Sequence, residues 1–113
     1  MEAFPGVFTS DLDAEDWEPF ADSPGSEIHA LVESDDYWAG LWRVPGQGTV
    51  TYRWTVPARD TFLVLEGSMT IEIDDGPALD VKAGSIVSLP PGTAATWHVT
   101  KPYKDLFVIA GTT

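Results

Sequence analysis

The chain contains no cysteine, so disulfides, thiolate nucleophiles and thiolate-held zinc or iron–sulfur sites are all excluded. Histidine is nearly as scarce. His29 and His98 are the only two, whereas a transition metal needs three or four N, O or S ligands in one place. Basic residues are few and late: six Lys and Arg stand against 18 Asp and Glu, a net charge of −12, and none of the six precedes Arg43. That balance repels phosphate backbones and anionic membrane surfaces alike, so neither nucleic acid nor membrane is an expected partner. Long apolar runs are missing too, which leaves no candidate for a membrane-crossing helix. The acidic start Met1-Glu2-Ala3-Phe4-Pro5-Gly6 lacks the basic head and apolar stretch of a signal peptide. The expectation is a soluble, cytoplasmic protein.

What is present is a chain of 113 residues, 43% hydrophobic, sized for one globular domain with a single core. Its acids are unevenly spread, with 11 of the 18 in residues 1–36, which reads as a solvated acidic segment. Residues 1–26 are broken by Pro5-Gly6, Pro19 and Ser23-Pro24-Gly25 and carry Phe4, Phe8, Trp17 and Phe20. Such a segment is too aromatic for a disordered tail. It is expected to form an irregular arm docking its aromatics on the remainder, with a helical turn at Asp13–Trp17 after a Ser10 or Asp11 cap.

Residues 27–110 read as strands: 27–32, 37–44, 49–56, 61–66, 68–74, 79–82, 85–89, 93–99 and 106–110. Gly, Pro, Ser and Asp turn chemistry separates them, as at Ser34-Asp35-Asp36, Pro45-Gly46-Gln47-Gly48, Gly76-Pro77 and Pro90-Pro91-Gly92. Short strands at such spacing indicate an all-β sandwich or barrel. The organising stretch is Thr61 to Gly76, an apolar run followed by strict alternation of Met69, Ile71 and Ile73 with polar neighbours. It predicts two half-buried strands joined by a tight turn at Gly67.

Here the chain resembles the cupin superfamily, and within it the subgroup related to (S)-ureidoglycine aminohydrolase and the ethanolamine-utilisation cupins. The resemblance rests on Ala39-Gly40-Leu41-Trp42, Pro45-Gly46, Trp54, Asp60 through Gly67, Ala83-Gly84, Pro90-Pro91-Gly92, Trp97 and Phe107-Val108-Ile109. It implies a cupin-type jelly-roll β-barrel. Metal-binding cupins use two histidines one residue apart, a carboxylate, and a third histidine beyond the Pro-x-Gly. Counted onto this sequence, those positions fall on Arg53 and Thr55 (with an uncertainty of one residue), Asp60 and Ala95. Only the carboxylate survives, so no metal is expected in that site and no other cofactor is called for.

Parity then suggests what lines the pocket instead. Arg53 and Thr55 share one face, Asp60 shares one with Phe62 and Val64, and Ala95 shares one with Trp97, while His98 points the other way. The expected ligand-binding residues are Arg53, Thr55, Phe62, Trp97 and Trp42. Arg53 would anchor a small polar or carboxylated metabolite, unless it merely pairs with Asp60. Asp60 is the candidate general acid or base for a metal-independent isomerisation, cyclisation or elimination. Two rival readings stand beside this one. The first is a non-catalytic module that homodimerises through its sheet face and arm; the second is an aminohydrolase-like enzyme holding a metal by Asp60 and His98. Of the five tryptophans, only Trp97 and Trp42 are expected to face the cavity, and His29 is expected to be packed.

Overall fold

Three long strands run through the whole barrel, and each changes direction partway along. In the computed structural model, which describes residues 1–111, they are β5 (Tyr37–Thr55), β6 (Arg59–Ile73) and β9 (Ala94–Ala110). The shorter strands are β1 (Glu2–Phe4), β2 (Val7–Phe8), β3 (Glu18–Pro19), β4 (Glu27–Glu33), β7 (Ala78–Lys82) and β8 (Ile86–Leu89). There is no helix among the described residues, and the fold is the expected all-β jelly roll. The turn of helix expected at Asp13–Trp17 does not form; a single turn lies just ahead of it, closed by the Ala14 N–H on the Asp11 carbonyl at 3.1 Å.

β9 lies between β5 and β6 and is antiparallel to both along its length. Its second half meets the first halves of β5 and β6, and its first half meets their second halves. β3 and β4 extend one end of this sheet beside β5, β8 joins the first half of β6, and β7 joins its second half. Folding one sheet across its middle in this way produces two facing layers with a shared core.

The bends explain why the expected strand pairs are single strands. Gly67, at φ 83°, does not reverse the chain; it sits at irregularities in the β6–β9 register between Val64 and Ser68. An inserted residue of this kind kinks the strand and shifts which parity faces inward. Asp60, Phe62 and Val64 are buried before Gly67, and Met69 and Ile71 after it. In β5 the register irregularity falls between Val44 and Gly48, where Pro45-Gly46-Gln47 was read as a turn. The pair expected at residues 93–99 and 106–110 is likewise one strand, β9.

The arm docks only in part. Phe20 packs on Trp38 and Trp54, with ring centroids 5.9 Å and 6.1 Å away. Trp17 donates its indole N–H to the Ala14 carbonyl and carries the Arg43 guanidinium over its ring at 4.0 Å. Phe4 and Phe8, by contrast, form an exposed hairpin of β1 and β2. His29 is buried as expected: its Nε2 faces Ser10 Oγ at 2.6 Å and its Nδ1 faces the Asp16 carbonyl at 3.0 Å.

Candidate functional site

The barrel holds a partly open cavity of ≈ 50 Å³ whose walls come from both layers and from the arm. β5 contributes Trp38, Trp42, Tyr52 and Trp54; β6 contributes Asp60 and Phe62; β9 contributes Trp97, Asp105, Phe107 and Ile109. Phe20 and Ser23 cover it from the arm, and the Tyr52 hydroxyl ties the arm down by donating to the Pro24 carbonyl at 2.8 Å. The walls are built of interlocked rings. Trp42 stands edge-on to Trp97 (6.2 Å, 87°), and Phe62 lies against Trp97 at 5.6 Å.

Two carboxyl groups interrupt this apolar wall. Asp60 and Asp105 are 5% and 2% exposed, and one oxygen of each, Oδ1, is buried without a hydrogen-bond partner. Burial pushes the Asp60 carboxyl up to about 7, although the Trp54 indole N–H that bonds it pulls the other way. Asp105 is raised well above the ordinary carboxylate range, again chiefly by burial. There the Tyr103 hydroxyl, which donates to Oδ2 at 2.9 Å, acts to lower it, and the nearby Asp60 charge raises it further. Tyr103 is itself pushed up by burial and by the adjoining carboxylates. The physical cause is the same throughout: a charge in a low-dielectric site without a counter-charge is disfavoured, and the proton is retained. The indole N–H groups of Trp38, Trp42 and Trp97 are also buried and unpartnered, leaving three donors and two carboxyl oxygens unmatched around one small space.

The structure places four of the expected residues, Asp60, Phe62, Trp97 and Trp42, on the cavity wall. It places Arg53 and Thr55 elsewhere. Both side chains are on the outer face of β5, where Arg53 reaches Asp74 through two contacts of 2.8 Å and donates to Thr96 Oγ1 at 2.9 Å. The expected Arg53–Asp60 pairing is therefore replaced by an exposed Arg53–Asp74 bridge. The one-residue uncertainty in the count decided this, since the inward positions are Tyr52 and Trp54. The alternation in Thr49-Val50-Thr51-Tyr52-Arg53-Trp54-Thr55-Val56 carries that signal, with the apolar residues all at even positions.

His98 points outward as expected and contacts Glu72 Oε1 at 2.8 Å and Thr51 Oγ1 at 3.2 Å. It does not converge with Asp60, so a metal shared by that pair has no geometry here. The donor set of the cavity does not fit a cupin metal either. Tyr52, Trp54 and Ala95 stand at the inward positions where imidazoles would be needed, and among the described residues no group of three or more His, Cys, Asp or Glu is placed to hold an ion. Asp105 and the cavity-facing Trp38 and Trp54 were missed. Asp105 was legible as the one charged residue in the inward series Tyr103, Asp105, Phe107, Ile109.

No curated protein matches this sequence. Among solved structures, a putative ethanolamine utilization protein Q from Salmonella typhimurium superposes over 100% of this chain and 93% of its own, with a TM-score of 0.80 and 19% identity. An RmlC-like cupin from Shewanella frigidimarina covers 89% of this chain and 87% of its own (TM-score 0.70, 15% identity). The cupin domain of Schizosaccharomyces pombe Cnp3 covers 93% and 74% (TM-score 0.71, 13% identity). At these identities the likeness is one of fold, and the expected kinship with (S)-ureidoglycine aminohydrolase is not part of it. The EutQ-like cupin domain family matches residues 37–105, most of the barrel, and the chain belongs to that family.

Proposed function

We propose that this cupin binds a small polar metabolite inside the barrel and moves a proton on it without a metal, with Asp60 as the proton-transfer group. The observation that carries this reading is the unpartnered Asp60 oxygen on an aromatic-walled cavity. A carboxyl held near 7 is divided between acid and base at neutral pH, the condition under which general catalysis is most effective. As carboxylate, Asp60 takes a proton from the ligand; as the resulting acid, it returns that proton to a second ligand atom, giving an isomerisation with no oxidant or reductant. If a leaving group departs instead, the same proton goes to it and the outcome is elimination. The absence of imidazole from the inward positions supports the metal-independent form.

The reading is tested by incubating small carbonyl and amine metabolites in D2O and following deuterium incorporation by NMR. Wild-type protein should label a substrate at carbon, and Asp60→Asn should label it at least about 100-fold more slowly. Equal labelling by the variant would remove Asp60 from the mechanism.

A second reading, homodimerisation, draws on the outer sheet face, where Leu106 and Val108 are 38% and 44% exposed beside exposed Phe8 and Leu12 of the arm. Light scattering should then give the mass of a dimer for the wild type and of a monomer for the Leu106→Glu/Val108→Glu double variant. A monomeric wild type would end this reading and leave the cavity untouched.

A further inference from the structure

The outer face of the sheet carries a second group of chemically active side chains, away from the barrel cavity. Along β4, Ile28 turns toward the cavity, and His29 turns outward beside its β5 partner Leu41. The arm closes over His29 from both sides. Ser10 Oγ lies 2.6 Å from Nε2, while Asp16 meets Nδ1 with its backbone carbonyl at 3.0 Å and its carboxylate Oδ1 at 3.2 Å. The Trp17 ring packs against the imidazole, tilted by 50° at a centroid distance of 5.8 Å, and the histidine is buried beneath these contacts.

The partners settle where the hydrogens lie. Both Asp16 atoms are acceptors, so in the neutral ring Nδ1 carries the hydrogen and Nε2 holds the lone pair. The Ser10 hydroxyl therefore donates to Nε2. A serine hydroxyl on an imidazole whose far nitrogen is held by a carboxylate is the arrangement that activates serine as a nucleophile, and geometry rather than chain order identifies it. Ser10 is exposed and opens on a groove of ≈ 510 Å³ walled by Phe8, Leu12, Leu31, Leu41 and Leu106. The N–H groups of Asp11 and Leu12, which follow the serine, have no hydrogen-bond partners among the described residues. Amides in that place commonly receive the oxyanion of a tetrahedral intermediate. Asp11 lines the groove and no Lys or Arg does, which disfavours an anionic substrate. From the Ser10–His29–Asp16 array and the apolar groove beside it, we infer that the arm forms a hydrolytic site for uncharged carboxylic esters with small apolar acyl groups. No residue lines both this groove and the barrel cavity, so the two sites stand or fall separately.

The reaction consumes only the ester and water. Ser10 Oγ bonds to the ester carbonyl carbon as its proton passes to His29 Nε2. The carbon–oxygen bond to the alcohol then breaks, and Nε2 gives that proton to the departing oxygen. Water attacks the acylated serine, its proton goes to Nε2 and on to Oγ, and the carboxylic acid leaves. Asp16 stabilises the imidazolium formed in each half.

Diisopropyl fluorophosphate, which reacts with activated serine hydroxyls, tests the site on the full chain. Intact mass should show a single adduct, which peptide mapping places on Ser10. Ser10→Ala, at an exposed position, should fold and take up none, and His29→Asn should react at least about 100-fold more slowly. 4-Nitrophenyl butyrate should give a burst of nitrophenolate that Ser10→Ala lacks. Cooperative thermal transitions check each fold, and if His29→Asn fails to fold, the adduct's position and the burst decide. Light scattering along a dilution series keeps a groove covered by a second copy from passing for an unreactive serine. An unmodified monomer, an adduct on another serine, or an unchanged rate in folded His29→Asn would overturn the inference and leave the Ser10–His29 bond as an anchor for the arm.

Discussion

Gly67→Ala should cost about 3–5 kcal/mol, a large share of the roughly 5–15 kcal/mol that holds a domain of this size together. Two effects add. The backbone there is at φ 83°, where any residue with a Cβ is strained. A Cβ on Gly67 would also run into the carbonyl oxygen of Pro102, with the Thr100 carbonyl oxygen and Tyr103 Cα each 3.1 Å away. These neighbours are backbone of β9, the strand both layers share, and they cannot swing aside as a side-chain tip can. The built-in control is Gly84, at φ 96° but with open space where a Cβ would lie. Gly84→Ala should show the backbone strain alone, about 1 kcal/mol. Thermal melts should therefore separate the two: Gly67→Ala lowers Tm by about 15 °C or more, and Gly84→Ala by about 5 °C. Equal losses would mean that the close approach of β6 to β9 carries no special weight.

The same glycine shows what the sequence could and could not convey. Its position between an apolar run and an alternating one marked a break in β6, and the parity switch across it is visible as Phe62 and Val64 before and Met69 and Ile71 after. Whether such a break reverses the chain or kinks it depends on what lies beside it. Here β9 pairs with β6 on both sides of the break, a contact between residues some thirty positions apart that local pattern does not encode. The fold class survived this misreading because turn spacing and parity are enough to specify an all-β barrel. The site did not survive whole. Asp60, Phe62, Trp97 and Trp42 follow from parity on their own strands, whereas Arg53 and Thr55 were placed by counting across a bulge, and one inserted residue moves a whole strand from inside to outside. Asp105 needed a different inference: a lone charge within an inward apolar series is costly to bury unless something requires it there.

That cost leads to the last expected result, a stability that falls as pH rises through neutrality. In the folded protein Asp60 holds its proton up to about 7, and Asp105 beyond the ordinary carboxylate range, whereas in the unfolded chain both release it near the usual value of 3.8. Between those limits the folded state binds more protons than the unfolded one, so each rise in pH favours unfolding. Each carboxyl contributes a slope approaching about 1.4 kcal/mol per pH unit within its own window, so Asp60 alone removes about 2–3 kcal/mol between pH 5 and 7. The groups facing these carboxyls do not reverse the sign. Tyr103 stays neutral throughout, the Trp54 indole carries no charge, and the surrounding net charge of −12 adds repulsion in the same direction. Asp74, lowered by Arg53, works oppositely, but its contribution is lost only as pH falls below the usual carboxylate range, outside this window. Urea denaturation of the ligand-free protein from pH 5 to 8 should therefore show a steadily decreasing midpoint. Asp60→Asn should flatten the part below pH 7, and combining it with Asp105→Asn should leave little dependence. A midpoint that holds steady or climbs over this range would mean that the two carboxyls are ionised in the folded barrel, and with that the proton held at Asp60 would no longer be available for transfer at neutral pH.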